Sequence, residues 1–229
     1  TDITLSLSYQ PDKIEQLLGD GSEFGVTLRY VTEPSPMGTG GAYRFAADNI
    51  SETTIVFNGD ILTDFDLSSL IEFHRGKEAA ATIALVPVED PSRYGLVELD
   101  KDSRVMRFLE KPEAGDLAKL TINTINAGIY VLEPQVLNLI PKDTNHSFEY
   151  DVFPEILNRK LPFFGKVMSD EYWLDIGTPT SYLNAHHDFL NGKIKGFDIP
   201  KTDLSDVATH AKIDKVSVIG ENCTIKPGA

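Results

Sequence analysis

Thr54-Ile55-Val56-Phe57-Asn58-Gly59-Asp60-Ile61-Leu62 joins a run suited to a buried strand to an amide, a glycine and a carboxylate. The branched and aromatic residues of Thr54 to Phe57 predict a strand, and Asn58-Gly59-Asp60 predicts the turn that ends it. Upstream, Ile3 to Tyr9 alternates apolar and polar residues like a strand. Pro11 then opens a helix through Leu18, in which Ile14, Leu17 and Leu18 share a face, and Gly19-Asp20-Gly21 stops it. A second strand, Val26 to Val31, leads through a glycine-rich loop to a helix from Gly40 to Ala47. Downstream, a helix runs from Leu67 to about Lys77. This βαβα order predicts an α/β fold with parallel strands and helices on the sheet's faces.

From Ala79 onward strands follow one another with short connections: Ala81 to Val88, Gly95 to Leu99, Arg104 to Leu109 and Ile125 to Leu132. The sheet is therefore expected to be mixed, mainly parallel with an antiparallel portion. Helices resume at Pro134 to Leu139, at Tyr150 to Asn158 and after Thr178-Pro179, where threonine suits a cap and proline the first turn. Near the end, Val207, Ile213, Ile219 and Ile225 recur every six residues. A hexapeptide period predicts a β-helix whose successive turns stack these side chains inward, since one turn cannot bury its own apolar face. The chain divides into a main domain, 1–195, and a linker with the first β-helix turns, 196–229.

Composition sets the class. A chain of 229 residues with 41% hydrophobic and 24% charged content can bury one substantial core. Cys223 is its single cysteine, which excludes an internal disulfide, and no signal-peptide pattern opens the chain, so a cytoplasmic protein is expected. The most apolar run, Ala79 to Val88, is too short to span a bilayer as a helix. A net charge of −14 repels phosphate backbones, so neither membrane nor nucleic acid is an expected partner.

Several segments carry chemistry. Asp60 follows a strand, where ligands of α/β sheets collect, although an Asn-Gly-Asp turn on its own reads as Asx-turn chemistry. Asp175, in Tyr172-Trp173-Leu174-Asp175-Ile176-Gly177, also ends a short apolar strand before a helix. Two such carboxylates can share one hard cation such as Mg²⁺, with phosphate oxygens and waters completing its shell. Pro36-Met37-Gly38-Thr39-Gly40-Gly41-Ala42 offers backbone N–H groups near a helix start, or simply a glycine-rich turn. In Phe108-Leu109-Glu110-Lys111-Pro112 the proline holds Lys111 on extended backbone, where an ammonium can meet a phosphate or stand as a solvated partner of Glu110. Asn126-Ala127-Gly128 inside a strand predicts a bulge or a close approach to the backbone.

In this order, and together with Tyr94-Gly95-Leu96-Val97-Glu98, these segments resemble the sugar-1-phosphate nucleotidyltransferases, or NDP-sugar pyrophosphorylases. The stretch from Pro34 to Ala42, PSPMGTGGA, looks most like their mannose-1-phosphate guanylyltransferase branch. The resemblance runs from about Thr1 to Tyr182, and the tail is similar to the left-handed β-helix that many members carry. It implies a Rossmann-like mixed sheet in which a sugar-1-phosphate attacks the α-phosphorus of an NTP, giving NDP-sugar and pyrophosphate, with GTP and mannose-1-phosphate as the favoured pair. Matched residue by residue, it implies Mg²⁺ on Asp60 and Asp175, and catalytic roles for both and for Lys111 at the sugar phosphate. It places Gly38, Thr39, Gly40 and Gly41 at the base, Asn58 and Gly59 beside Asp60, and Tyr94, Gly95, Glu110, Asn126 and Gly128 at the sugar.

One departure counters these matches. Members begin with a glycine- and arginine-containing loop, GGxGxRL, that wraps the triphosphate, and Thr1 falls after it. The chain is therefore expected to be an incomplete catalytic domain, inactive by itself and pairing with further copies as a homo-oligomer through its bare sheet edge. Two other readings remain open: a glucose-1-phosphate nucleotidyltransferase using dTTP, UTP or another NTP, and a non-catalytic regulatory subunit that binds a sugar nucleotide.

Overall fold

The computed structural model describes residues 1–47, 50–110, 122–197, 211–214, 217–220 and 223–227. They fall into two compact units, Thr1–Asn58 with Asp66–Ser169, and Gly59–Phe65 with Asp170–Ala229.

The first unit is built on a mixed sheet. In chain order its elements are β1 (Asp2–Leu7), α1 (Pro11–Leu18), β2 (Thr27–Thr32), α2 (Gly38–Ala46), β3 (Thr54–Phe57), α3 (Leu67–Gly76), β5 (Ala81–Pro87), β6 (Leu96–Leu99), β7 (Val105–Leu109), β8 (Thr124–Leu132), α4 (Phe153–Asn158) and β9 (Phe163–Val167); β4 (Ile61–Thr63) belongs to the second unit. β1 and β2 form a parallel pair joined by α1, in register from Asp2 opposite Thr27 to Leu7 opposite Thr32. In the main sheet β8 is the axis. β5 lies along one edge; along the other, β3 covers Ile129 to Leu132 and β6 takes over at Ile125. β9 runs parallel beside β5, and β7 antiparallel beside β6. β3, β5, β6 and β9 thus point one way, and β7 and β8 the other.

The pattern of burial explains why the sequence breaks into these strands. Ala81, Thr82, Ile83, Ala84 and Leu85 are all buried, because β5 is covered on both faces and needs no polar alternation. Tyr130, Phe148, Phe153 and Phe163 are the largest fully buried side chains. Their rings contact in sequence, Tyr130 to Phe148 at 5.1 Å, Phe148 to Phe153 at 5.5 Å and Phe153 to Phe163 at 5.3 Å between centroids. Such pairs favour tilted or offset geometries, and they fasten α4 to the sheet. His74 of α3 is buried with both ring nitrogens partnered, by the Thr82 hydroxyl at 2.8 Å and the Glu133 carboxylate at 3.1 Å. Its burial is therefore compatible with the low-dielectric core.

Three segments of the first unit differ in kind from the sequence reading. Pro134–Leu139 is a 3₁₀ helix, and the helix predicted from Tyr150 starts as a π-turn over Phe148–Val152 before α4. Ser147 caps that turn, its hydroxyl accepting from the N–H groups of Glu149 and Tyr150. β9 is not apparent in the sequence, where Leu161 to Val167 has no clear alternation.

The second unit is smaller. β4 pairs antiparallel with β10 (Trp173–Asp175), Asp175 lying opposite Ile61. α5 (Pro179–Leu190) follows, opened by a capping box between Thr178 and Ser181. Asp64 clasps the unit, one carboxylate oxygen accepting from Tyr172 N–H at 2.7 Å and the other from Lys195 N–H at 2.9 Å. Of the hexapeptide positions, Ile213, Ile219 and Ile225 are half-buried, and Val207 lies outside the described residues. Among the described residues no helix is long and apolar enough to cross a membrane.

Candidate active site

In the first unit the geometry turns on the place where β8 changes partner. Between Ile83 and Leu85 the β5–β8 register jumps, with Tyr130 opposite Ile83 and Asn126 opposite Leu85, so β8 bulges across Ala127 to Ile129. Gly128 sits in the bulge at φ +73°, a conformation that favours glycine. Asn58, just past β3, donates its N–H to Gly128 C=O at 2.8 Å, and a Cβ on Gly128 would lie 2.9 Å from the Asn58 side-chain nitrogen. On the far side of the gap, Asn126 N–H donates to Gly95 C=O at 2.9 Å. A Cβ on Gly95 would lie 2.5 Å from a Glu110 carboxylate oxygen. Asn58, Gly95, Glu110, Asn126 and Gly128 are therefore gathered at the point where β8 switches partner, with Asn58 and Glu110 just beyond the carboxyl ends of β3 and β7, the kind of place where ligands of α/β sheets collect. Tyr94 stands next to Gly95, in a turn where its N–H donates to Pro91 C=O at 3.2 Å.

The glycine segment lies in the same unit, and its helix begins earlier than the sequence reading places it, at Gly38. Each of its glycines is pressed against the segment 144–152. A Cβ would stand 2.7 Å from His146 O at Gly38, 2.5 Å from Thr144 O at Gly41, and 3.1 Å from a Val152 methyl at Gly40. Thr39 bridges the two segments, its hydroxyl accepting from Phe148 N–H at 2.9 Å and donating to Glu149 at 2.8 Å. These small residues are thus required by packing within the protein, whatever else the helix start does.

Two residues at this site, Tyr130 and Glu149, escape the sequence reading. Tyr130 is fully buried and its hydroxyl takes the Asn126 side-chain amide at 2.9 Å and reaches Glu149 at 3.4 Å. Burial, reinforced by the Glu149 charge, pushes its phenol well above the ordinary range, so it stays a neutral donor. A signal for Tyr130 exists: Asn126, Gly128 and Tyr130 follow the two-residue period that sends strand side chains to one face.

The second unit holds Gly59, Asp60 and Asp175. Ile176 N–H donates to Asp60 C=O at 2.8 Å, continuing the β4–β10 pairing, and Asp175 accepts from Gly177 N–H at 2.8 Å. The carboxylates converge on Gly177. The point where a Cβ on that residue would sit is 3.0 Å from Asp175 Oδ1 and 3.2 Å from Asp60 Oδ2. The two oxygens are thus separated by no more than the sum of those distances, inside the roughly 7 Å that one Mg²⁺ and a bridging water can span. Gly59 is exposed, with open space where a Cβ would be. Lys111 lies outside the described residues, which stop at Glu110 on this side.

Residues 1–192 match the family model for nucleotidyl transferases, and the chain belongs to that family. It is 40% identical to the mannose-1-phosphate guanylyltransferase of Mycobacterium tuberculosis over 99% of this chain and 64% of that protein. With the mannose-1-phosphate guanyltransferase of Schizosaccharomyces pombe it shares 34% identity over 97% of this chain and 61% of that one. The chain thus spans under two thirds of the length of these relatives. Among solved structures it is similar to HddC from Yersinia pseudotuberculosis, with a TM-score of 0.69 and 32% identity over 82% of this chain and 78% of that one. That protein has also been solved complexed with GMP-PN. A putative glucose-1-phosphate thymidylyltransferase from Bacillus anthracis has the same fold, with a TM-score of 0.71 at 23% identity over 88% of this chain and 79% of that one.

Proposed function

We propose that the protein is a sugar-1-phosphate nucleotidyltransferase that makes GDP-mannose and pyrophosphate from GTP and mannose-1-phosphate. The convergence of Asp60 and Asp175 on Gly177 carries the reading, because paired carboxylates at a strand end suit a reaction between two polyanions. The likeness to mannose-1-phosphate guanylyltransferases supports the choice of base and sugar. In the reaction a phosphate oxygen of the sugar-1-phosphate bonds to the α-phosphorus, the bond from that phosphorus to the β-phosphate oxygen breaks, and pyrophosphate leaves. The attacking oxygen is already ionised, so no general base is needed and positioning dominates.

Asp60 and Asp175 are assigned as the protein's two ligands for Mg²⁺. Among the described residues there is no cluster of three or more metal-ligating side chains, and a two-carboxylate donor set leaves the remaining positions to water and phosphate, as Mg²⁺ prefers. Bound there, the ion supplies positive charge against the phosphate oxygens. Lys111 is assigned to the sugar phosphate, and Glu110 and Asn126 to the hexose hydroxyls, whose lost water hydrogen bonds must be replaced. The Gly38–Gly41 helix start is assigned to the base, and residues 196–229 to the start of a β-helix.

The test is pyrophosphate release by the intact protein across a panel of NTPs and hexose-1-phosphates, dTTP and UTP with glucose-1-phosphate included. GTP with mannose-1-phosphate is expected to be the best pair, and a different winner replaces the substrate assignment. No release from residues 1–229 alone is what an incomplete catalytic domain gives; no release from a folded protein that also carries a GGxGxRL segment removes the enzymatic reading.

A further inference from the structure

We infer that Tyr130 and Glu149 are positioning residues for hexose recognition, fixing which way the Asn126 side-chain amide faces. This rests on the assignment of Asn126 to the sugar. Hydrogen-bond direction decides the orientation. The Tyr130 hydroxyl donates its single proton to Glu149 Oε1, at 3.4 Å. The phenol oxygen of Tyr130 is then left as an acceptor toward Asn126, which meets it with Nδ2 at 2.9 Å. At the other end of the amide, Oδ1 accepts from Gly128 N–H at 2.9 Å. A flipped amide would set two donors against each other at Gly128 and leave Tyr130 facing an oxygen with no proton to offer it. One Nδ2 hydrogen and one Oδ1 lone pair are left in defined directions at the switch point of the sheet.

The anchor of this chain is held from elsewhere. Glu149 Oε2 accepts from the hydroxyls of Thr39 at 2.8 Å and Ser147 at 2.6 Å, and Tyr130 is locked by rings on two sides, Phe148 and Phe153 both at 5.1 Å. Neither Tyr130 nor Glu149 needs to touch the sugar to set the polarity of the group that does. The phenol is a suitable link because burial keeps it protonated.

The experiment is steady-state kinetics of the intact protein with GTP, mannose-1-phosphate and Mg²⁺. Tyr130→Phe keeps the packed ring and deletes the hydroxyl. It is expected to raise KM for mannose-1-phosphate about tenfold, the scale of one hydrogen bond, with KM for GTP and kcat held within about twofold and melting little changed. Glu149→Ala is expected to raise KM for mannose-1-phosphate at least as much, and, because it also releases the Thr39 hydroxyl beside the base, to raise KM for GTP as well. The double variant should be no worse than Glu149→Ala alone, since both cut one chain. Glu149→Gln, which retains a carbonyl oxygen for Tyr130, should recover most of the loss. If the parent protein turns over and Tyr130→Phe leaves KM for the sugar phosphate unchanged, or raises both KM values alike with a lowered melting temperature, the inference fails and the proposed function stands. If a folded parent that also carries a GGxGxRL segment turns over no pair, the functional reading fails and the inference with it.

Discussion

At the scale of single residues, glycines in this protein do opposite jobs that the same substitution separates. Gly41→Ala would drive a Cβ to 2.5 Å from the backbone oxygen of Thr144, and backbone cannot swing aside as a side chain does. We predict a loss of about 1–3 kcal/mol in denaturant unfolding, the usual cost of overpacking. Gly177→Ala would instead touch only the carboxylates of Asp175 and Asp60, at 3.0 and 3.2 Å, on an exposed turn. Its expected signature is an unchanged melting temperature with a several-fold higher Mg²⁺ requirement in turnover, since small displacements of a positioned group cost rate steeply. A fall in stability without a change in Mg²⁺ dependence would contradict it. Asp60→Asn should lower turnover by about 10²-fold or more while the protein stays folded, and undiminished activity would remove Asp60 from the site. Gly128 can be suspected from sequence because glycine is out of place in a strand interior. The two-residue period puts Tyr130 on the face of Asn126, but its role as a hydrogen-bonding link comes from Glu149, a partner in another segment that no local pattern supplies.

At the scale of elements, legibility follows how local the determining chemistry is. α5 is marked in sequence by Thr178-Pro179, and the structure has both halves of its capping box, Ser181 N–H donating to the Thr178 hydroxyl at 3.1 Å and Thr178 N–H to the Ser181 hydroxyl at 3.2 Å. Thr178→Ala is expected to cost about 1 kcal/mol, read as a lower denaturant midpoint. β4 and β9 are not legible. β4 has three residues and exists through its pairing with β10, while in β9 the core-facing positions are Phe163 and Gly165, and the glycine, set against Leu85 and Leu99 methyls, breaks the apolar periodicity that would advertise the strand. The contact of α3 with the sheet is equally hidden, since His74 gives no sign in sequence that Thr82 and Glu133 await it. The Thr53 hydroxyl, and after it His74, holds the Glu133 carboxyl below its ordinary value of 4.5. A depressed carboxylate contributes stability that is complete above its unfolded value and lost as pH falls through the folded one. Glu133→Gln should therefore be less stable than the parent at neutral pH, by about 1 kcal/mol or less for so exposed a group, with the gap closing below about pH 4. A gap that persists in acid would assign the effect to packing.

Over the whole molecule charge dominates, and it is fully legible because it is a sum over residues. At −14 the chain repels itself, and the ion pairs of its described surface, such as Arg107 with Glu98 at 2.9 Å, are exposed and individually weak. Added salt should therefore stabilise it. Between about 0.01 and 0.15 M, as the Debye length falls from roughly 30 to 8 Å, the melting temperature is expected to rise. A fall would mean that attractive pairs outweigh the net repulsion. The same field opposes the approach of nucleotides, so their association rate should increase with ionic strength, opposite to electrostatically steered binding.

The arrangement of β8 has a consequence for how the chain is made. Thr54 pairs with Leu132, and Ala81 with both Leu132 and, on its other side, Phe163. A ribosome adding about 5–20 residues per second exposes β3 on the order of 4 to 16 s before β8 follows it. Throughout that interval the strand beginning TIVF, and then the buried stretch of β5, wait as open edges with no native neighbour. Such segments are natural clients for chaperones, and translation speed across residues 58–124 becomes a variable in the yield of folded protein.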